Sequence, residues 1–334
     1  MNRIWTALLS GAFALTATMA QSQTLSVEGG GAASLTGIVP QTFAQYASKA
    51  DVDVQVVLGQ TLTRSALKLA AGKIDMAVVP PPAFGAMKKG VGPYKKQADQ
   101  AKSLSANVRS LFAFPAGTFH AIVWADSGIE NWSDIKDKRV YIGPPAGAAS
   151  RQIQGMIGQA SGGLSVEGDY EGIRAPWGAA QQSFQDGQFD VYVASAAVGQ
   201  QSLNELSLQR TIKILGIPDG VRDGDGWKDY MVNSAMMMSE IPAGTYSGQA
   251  NGDANLVSVA SAMMMSVHKD MPEETAYKLT KAYWDNLQEM KNSNALLKTI
   301  DEEAPFAGTN APLHPGALRY YQEAGIKVPD NLIQ

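Results

Sequence analysis

The sequence contains no cysteine. That excludes thiol nucleophiles, disulfides, iron–sulfur clusters and thiolate zinc sites together. It also excludes a lipidated N-terminal Cys as a membrane anchor. An excess of basic residues is missing as well. Lys and Arg number 27 against 31 Asp and Glu, a formal net charge of −4, whereas a nucleic-acid binder usually shows a basic face. Histidine is scarce: His120, His268 and His314 lie far apart with no His-Glu-x-x-His pair, so each reads as a surface or satisfied core residue rather than a metal ligand. Asp219, Asp223 and Asp225 with interleaved glycines resemble a calcium loop, but the closing twelfth position is Tyr230 instead of Glu, which favours a solvated loop. No Gly-x-Ser-x-Gly elbow, no dinucleotide fingerprint and no phosphate-binding loop ending in Gly-Lys-Ser/Thr is present. Neither a metal nor a cofactor is expected.

Long apolar runs are also lacking beyond the N-terminus. Residues 256–267 come nearest, yet they are rich in Met and Ser and fall short of the ~20 residues of a membrane span. What is present is a chain of 334 residues, 45% of them apolar. That fraction is globular, and the length predicts about two domains. Residues 1–20 read as a secretory signal: Arg3, an apolar core through Leu8, Leu9, Phe13 and Leu15, and the small-x-small end Thr18-Met19-Ala20. Cleavage after Ala20 leaves 314 residues, with 26 basic residues facing 31 acidic ones. The mature protein is expected to be soluble and periplasmic.

Two segments echo each other. Residues 67–79 run from Leu67 through Gly72 and Asp75 to Val79; residues 184–193 run from Phe184 through Gly187 and Asp190 to Val193. Each reads as a helix end, a glycine stop and a buried parallel strand. Each is preceded by a strand ending in glycine, at Gly59 and Gly143. The echo predicts two similar α/β lobes. The chain is expected to change lobe at residues 112–118 and again at 242–255, while residues 218–228 read as an exposed loop. After the second crossing a helix is expected with Asp270 as cap and Pro272 in its first turn. Ala276, Leu279, Tyr283, Leu287 and Met290 mark its buried face.

Two features carry chemistry. The glycine-rich stretch Gly29, Gly30, Gly31, Ala32, Ala33, Ser34 follows the first mature strand and precedes a helix. Small residues let a ligand approach the backbone, and helix-start N–H groups favour an anion. The loop from Gly143 to Arg151 repeats this logic, with Ser150 and Arg151 at the helix start. In open α/β sheets ligands sit outside the carboxyl ends of strands, so the two loops would face each other across a cleft. A competing signal is Ser-x-x-Lys, at Ser65–Lys68 and Ser133–Lys136, with Ser202-Leu203-Asn204 as a second motif. This is the nucleophile–base pattern of penicillin-recognising hydrolases, though their Lys-Thr-Gly is absent.

The chain further resembles the TAXI family, the extracytoplasmic solute-binding proteins of TRAP transporters. The resemblance spans nearly the whole mature chain. It rests on residues 29–34, on Leu69 through Gly72 to Asp75, and on Trp124 to Ile129 followed by Trp132 to Val140. Its most specific pieces are Ile241 to Gln249 and Leu313-His314-Pro315-Gly316-Ala317 with Arg319-Tyr320-Tyr321. The resemblance implies an α/β, two-lobed periplasmic binding protein fold, type II-like. Each lobe would be a mixed sheet flanked by helices, with hinge strands between them: lobe 1 from 21–116 plus 257–334, lobe 2 from 117–256. It implies closure around one small organic acid or amino-acid-like solute, delivery to a TRAP-type membrane permease, and no catalysis. Family loops carry hydroxyls where this chain has Gly31, Ala32, Ala33, Ala146, Gly147, Ala148 and Ala149. A monocarboxylate with more apolar surface is therefore expected. Expected cleft residues are Gly30, Gly31, Ser34, Gln60, Thr61, Pro81, Ser150 and Ser195, with Phe84, Trp177 and Tyr246 as aromatic contacts and Arg64 or Arg151 pairing the carboxylate. An exported Ser/Lys hydrolase and a binding protein feeding a sensor stay open as alternatives.

Overall fold

The computed structural model describes residues 24–145 and 148–333. The expected signal segment, Ala146 and Gly147 lie outside the described residues. The chain opens with β1 (Leu25–Glu28), α1 (Leu35–Lys49), β2 (Val54–Val57), α2 (Leu62–Ala70), β3 (Met76–Val79), α3 (Pro81–Lys89) and α4 (Ala98–Ser105). The 17-residue strand β4 (Val108–Trp124) then leads into β5 (Arg139–Tyr141), α5 (Ala149–Ala160), β6 (Glu171–Ile173), α6 (Trp177–Gln185), β7 (Val191–Ala196), α7 (Gln201–Gln209) and β8 (Ile212–Ile214). After α8 (Asp225–Asn233) and β9 (Met236–Ile241), the long strand β10 (Leu256–His268) returns, and α9 (Glu273–Asp285), α10 (Leu287–Ser293) and α11 (Pro315–Glu323) close the described chain.

One mixed sheet runs β2-β1-β3-β10-β4-β7-β5-β6, with β8 added to β4 and β9 to β10. Each half is built alike. The parallel trio β2-β1-β3 abuts antiparallel β10, and the trio β6-β5-β7 abuts antiparallel β4. The long strands join the halves: β4 pairs with β10 from Val108 to Thr118, then with β7 and β8 from Thr118 to Trp124. The β4–β10 register shifts between Ser261 and Ala262, opposite Pro115. Pro lacks the N–H a ladder needs, so the irregularity falls where the lobes meet. This is the mixed, two-lobed α/β architecture that the sequence led us to expect.

The sequence echo has a structural cause. Gly72 and Gly187 both take positive φ, 65° and 71°, the left-handed turn that ends a helix and that glycine adopts without strain. Asp75 accepts from the Ser26 N–H at 2.8 Å, and Asp190 accepts from the Arg139 N–H at 2.9 Å. Ser26 and Arg139 stand one residue before equivalent register partners, Val27 opposite Met76 and Val140 opposite Val191. Each Asp thus pins the start of its neighbouring strand. In β3, Met76 and Val78 enter one core and Ala77 and Val79 another; in β7, Val191 and Val193 part likewise from Tyr192 and Ala194. Both strands are covered on both faces, as continuous apolar runs require.

Three local expectations are corrected. The strand ending at Gly143 does not lead directly to the Gly187 unit, because α5 and β6 intervene. Residues 218–228 are not all loop. The helix α8 starts at Asp225 because Trp227 and Tyr230 are buried, with the Tyr230 ring against Gly155 of α5. Asp270 does not cap α9: Pro272 holds the cap position, and Asp270 pairs with Lys269. The predicted buried face of that helix is correct, although the helix breaks at Asn286.

Candidate functional site

Strand direction locates the site. The strand β10 runs from the second lobe to the first, and β3 is antiparallel to it, so β1, β2 and β3 all run towards the second lobe. In the same way β7 opposes β4, so β5, β6 and β7 all run towards the first lobe. The carboxyl ends of six parallel strands therefore converge between the lobes. From them start α1, α2, α3, α5, α6 and α7.

These six helix starts share a composition. None has an acidic residue in its first turn, and none has a side-chain cap. Four of the other five described helices, α4, α8, α9 and α10, do carry an acid there, as the positive helix end favours. Residues 29–34, 58–61, 142–148, 174–176 and 197–200, which lead into five of the six, contain no Asp or Glu. The positive ends are left for something else to neutralise.

On the first lobe the opening loop is tightly built. A Cβ on Gly30 would lie 2.1 Å from Thr36 Oγ1, so only glycine fits. Gly59 N–H donates to Gly30 O at 2.8 Å and Gln60 N–H to Gly29 O at 3.0 Å, which stitches two loops together. The Gln60 side chain turns back to Leu58 O. Ser34 Oγ donates to Gly31 O at 2.8 Å and lies 2.7 Å from Thr36 Oγ1. Thr61 and Arg64 are exposed at the start of α2. Pro81 opens α3, and its carbonyl accepts from Asn310 Nδ2 at 2.8 Å.

On the second lobe Ser150 is buried in the first turn of α5. Its Oγ accepts from Gln154 Nε2 at 3.0 Å and from Arg174 Nε at 3.4 Å. Arg151 is exposed beside it. Trp177, the first residue of α6, is 38% exposed and stands edge-on to Tyr141. Ser195 lies on β7 against the hinge. A Cβ on Gly117 would meet its Oγ at 2.9 Å. Arg174 was not among the sequence candidates, nor was Asn310. Arg174 follows a three-residue strand too short to read from pattern, and Asn310 reaches Pro81 across 229 positions of sequence.

Two expected aromatic contacts belong elsewhere. Phe84 packs in the core with Ala66, Leu69, Val79 and Met87. Tyr246 is buried, with its hydroxyl 2.8 Å from His120 Nε2 and accepting from Gly199 N–H at 3.3 Å. Burial pushes the His120 imidazole down to about 4 and the Tyr246 phenol up. The segment 241–249 thereby clamps the loop before α7 to β4. The second family-like segment is also structural: His314 caps α11, and Arg319 bridges Glu273 and Glu274.

The Ser-x-x-Lys pairs are engaged otherwise. Ser65 Oγ, 1% exposed at residue level, donates to Glu28 Oε2 at 2.6 Å, and Lys68 Nζ pairs with Glu28 Oε1 at 2.7 Å. The carboxylate accepts hydrogen bonds from both the hydroxyl and the ammonium, where a nucleophile needs an accessible oxygen and a free amine. Ser133 Oγ donates to Asn131 within a capping box. Among the described residues no group of three or more His, Asp or Glu is placed to hold a metal ion, and no helix is long and apolar enough to cross a membrane. Two open hollows of about 450 and 430 Å³ lie elsewhere, and no residue of the six strand–helix loops lines them.

The model of the NMT1-like family matches residues 33–325. Among solved structures, the periplasmic sulfonate-binding protein SsuA from Methylobacillus flagellatus is similar at 11% identity with a TM-score of 0.50, covering 91% of this chain and 87% of that one. The aliphatic sulphonate binding protein SsuA from Escherichia coli gives 11% identity and 0.48, covering 90% and 83%. A TRAP periplasmic solute binding protein from Pseudomonas aeruginosa, with bound L-malate, gives 11% and 0.46, covering 82% and 87%.

Proposed function

The chain belongs to the NMT1-like family, and on that premise we propose that it captures a small anionic solute between its lobes in the periplasm. One observation carries this reading. Six helix starts converge there without a single first-turn acid, and Arg64, Arg151 and Arg174 stand beside them. Five of the starts offer free first-turn N–H groups as well as positive partial charge; α3 opens on Pro81 and Pro82, which have no N–H, and offers the charge alone. A solute touching both sets gains from both lobes only when they close. Binding then shifts the population towards the closed state.

The finer reading follows the resemblance to the TAXI family: a small organic acid or amino-acid-like solute, handed to a TRAP-type permease, with no chemistry performed. The lobes are 21–116 plus 257–334 and 117–256. Gly30, Gly31, Ser34, Gln60, Thr61, Arg64 and Pro81 serve one wall; Ser150, Arg151, Arg174, Trp177 and Ser195 serve the other. Arg174 holds the anionic group through its planar fork, and Trp177 covers an apolar tail. Few hydroxyls remain for a second carboxylate, so a monocarboxylate is favoured.

The test is mass spectrometry of the solute that co-purifies, followed by calorimetric titration with monocarboxylates, glutamate and 2-oxoglutarate. A monocarboxylate is the expected finding. A neutral or cationic solute overturns the anion reading, and sub-micromolar binding of glutamate or 2-oxoglutarate overturns the monocarboxylate one.

A further inference from the structure

Charge is spread unevenly over this acidic chain. Between residues 81 and 107 stand five lysines, Lys88, Lys89, Lys95, Lys96 and Lys102, with no arginine and one acid, Asp99. All five lysines are exposed. The fold gathers them. The helix α3 ends at Gly90, whose φ of 63° turns the chain sharply. A 3-10 turn, Gly92–Gln97, follows, and then α4 packs back on α3. Lys102 Cε lies 2.8 Å from where a Gly90 Cβ would stand, so its stem crosses the end of α3 beside Lys88 and Lys89. Tyr94 is buried and donates to Thr63 O at 2.8 Å, which fixes the turn from below. Between Lys89 and Lys95 in the chain, Val91 is 48% exposed, next to exposed Gly92 and Pro93. An exposed apolar tip thus lies among exposed lysines on a base that Tyr94 anchors.

We propose that this face docks the protein reversibly on a bilayer surface rich in anionic phospholipid. The choice of lysine argues for such a surface. Lysines are compact hydrated charges without the fork that matches one particular carboxylate, so five of them suit a diffuse anionic sheet. The apolar tip suits the boundary between headgroups and acyl chains. The chain has no cysteine to carry a lipid, so attraction of this kind is a way to hold it near a membrane without a covalent anchor. The proposal does not rest on the nature of the solute.

Sedimentation of the full chain with vesicles tests it. Binding is expected to mixed phosphatidylglycerol–phosphatidylethanolamine vesicles and not to phosphatidylcholine, with release at about 1 M salt, where the Debye length is about 3 Å. Each lysine near an anionic surface is worth about fivefold in partitioning, so Lys95→Glu with Lys96→Glu is expected to lower binding at least about twentyfold. Lys136→Glu with Lys228→Glu, the same charge change on the other lobe, is expected to leave it intact. Equal loss in both double variants, or equal binding to phosphatidylcholine, overturns the proposal. No sedimentation with either vesicle also overturns it and leaves the patch to an acidic protein surface.

Discussion

His120 gives the molecule a defined response to acid. It is fully buried in β4, with Nδ1 2.9 Å from the Thr118 carbonyl and Nε2 2.8 Å from the Tyr246 hydroxyl. A carbonyl only accepts, so Nδ1 carries the proton and Nε2 receives the Tyr246 O–H. A second ring proton would point at that hydroxyl. Desolvation accordingly lowers the imidazole from 6.5 to about 4, against a smaller opposing effect of the Thr118 bond. Above pH 6.5 His120 is neutral in both states and stability does not depend on it. Between 6.5 and 4 the unfolded chain binds a proton that the folded chain refuses, so stability falls as pH falls. At 1.36 kcal/mol per unit, the loss reaches about 3 kcal/mol by pH 4 and then levels off. Urea unfolding of the native protein and of His120→Gln, from about pH 7.5 to 4.5, isolates this effect. Subtracting the variant removes His314, which burial also lowers, and the carboxylates. A difference that stays flat to within about 0.5 kcal/mol across that range would refute the reasoning.

Other outcomes follow from single contacts. Ser65→Ala removes a donor to the buried Glu28 carboxylate and is expected to lower unfolding free energy by about 2 kcal/mol in urea. An activated ester is expected to leave no adduct on Ser65, as intact mass would report. In Gly316→Ala the new Cβ would lie 2.1 Å from Glu273 O and 2.7 Å from Tyr277 N; prying α9 from α11 is expected to cost about 1–3 kcal/mol or more, seen as a lower Tm. Arg174→Met is expected to weaken calorimetric binding of the anionic solute about tenfold to hundredfold and to flatten its salt dependence. Its thermal stability is expected to stay unchanged, since the Arg174 side chain is exposed.

The fold was legible wherever a local constraint leaves a residue type behind. A helix that must stop in a left-handed turn selects glycine, which is why Gly72 and Gly187 announced two like halves. Strands covered on both faces must be apolar throughout, so β3 and β7 could be read. The strand β6, of three residues, leaves no such pattern, and the second unit was misread for that reason. The site was legible only as loops. Gly30 and Ser150 could be named from small residues before a helix. Phe84 and Tyr246 could not be sorted from Trp177, because an aromatic side chain suits a core as well as a ligand. The Ser65–Lys68 spacing is real, but Glu28, 37 positions from Ser65, decides what it does.

The sequence by itself determined the doubled plan, the absence of thiol chemistry and the small-residue loops. Each of these follows from a residue and its near neighbours. Only the tertiary structure decided that six acid-free helix starts face one another and that Arg174 rather than a predicted arginine reaches Ser150. Strand direction and the packing of helices on the sheet set those relations, and they join residues whose separation along the chain carries no signal of their contact.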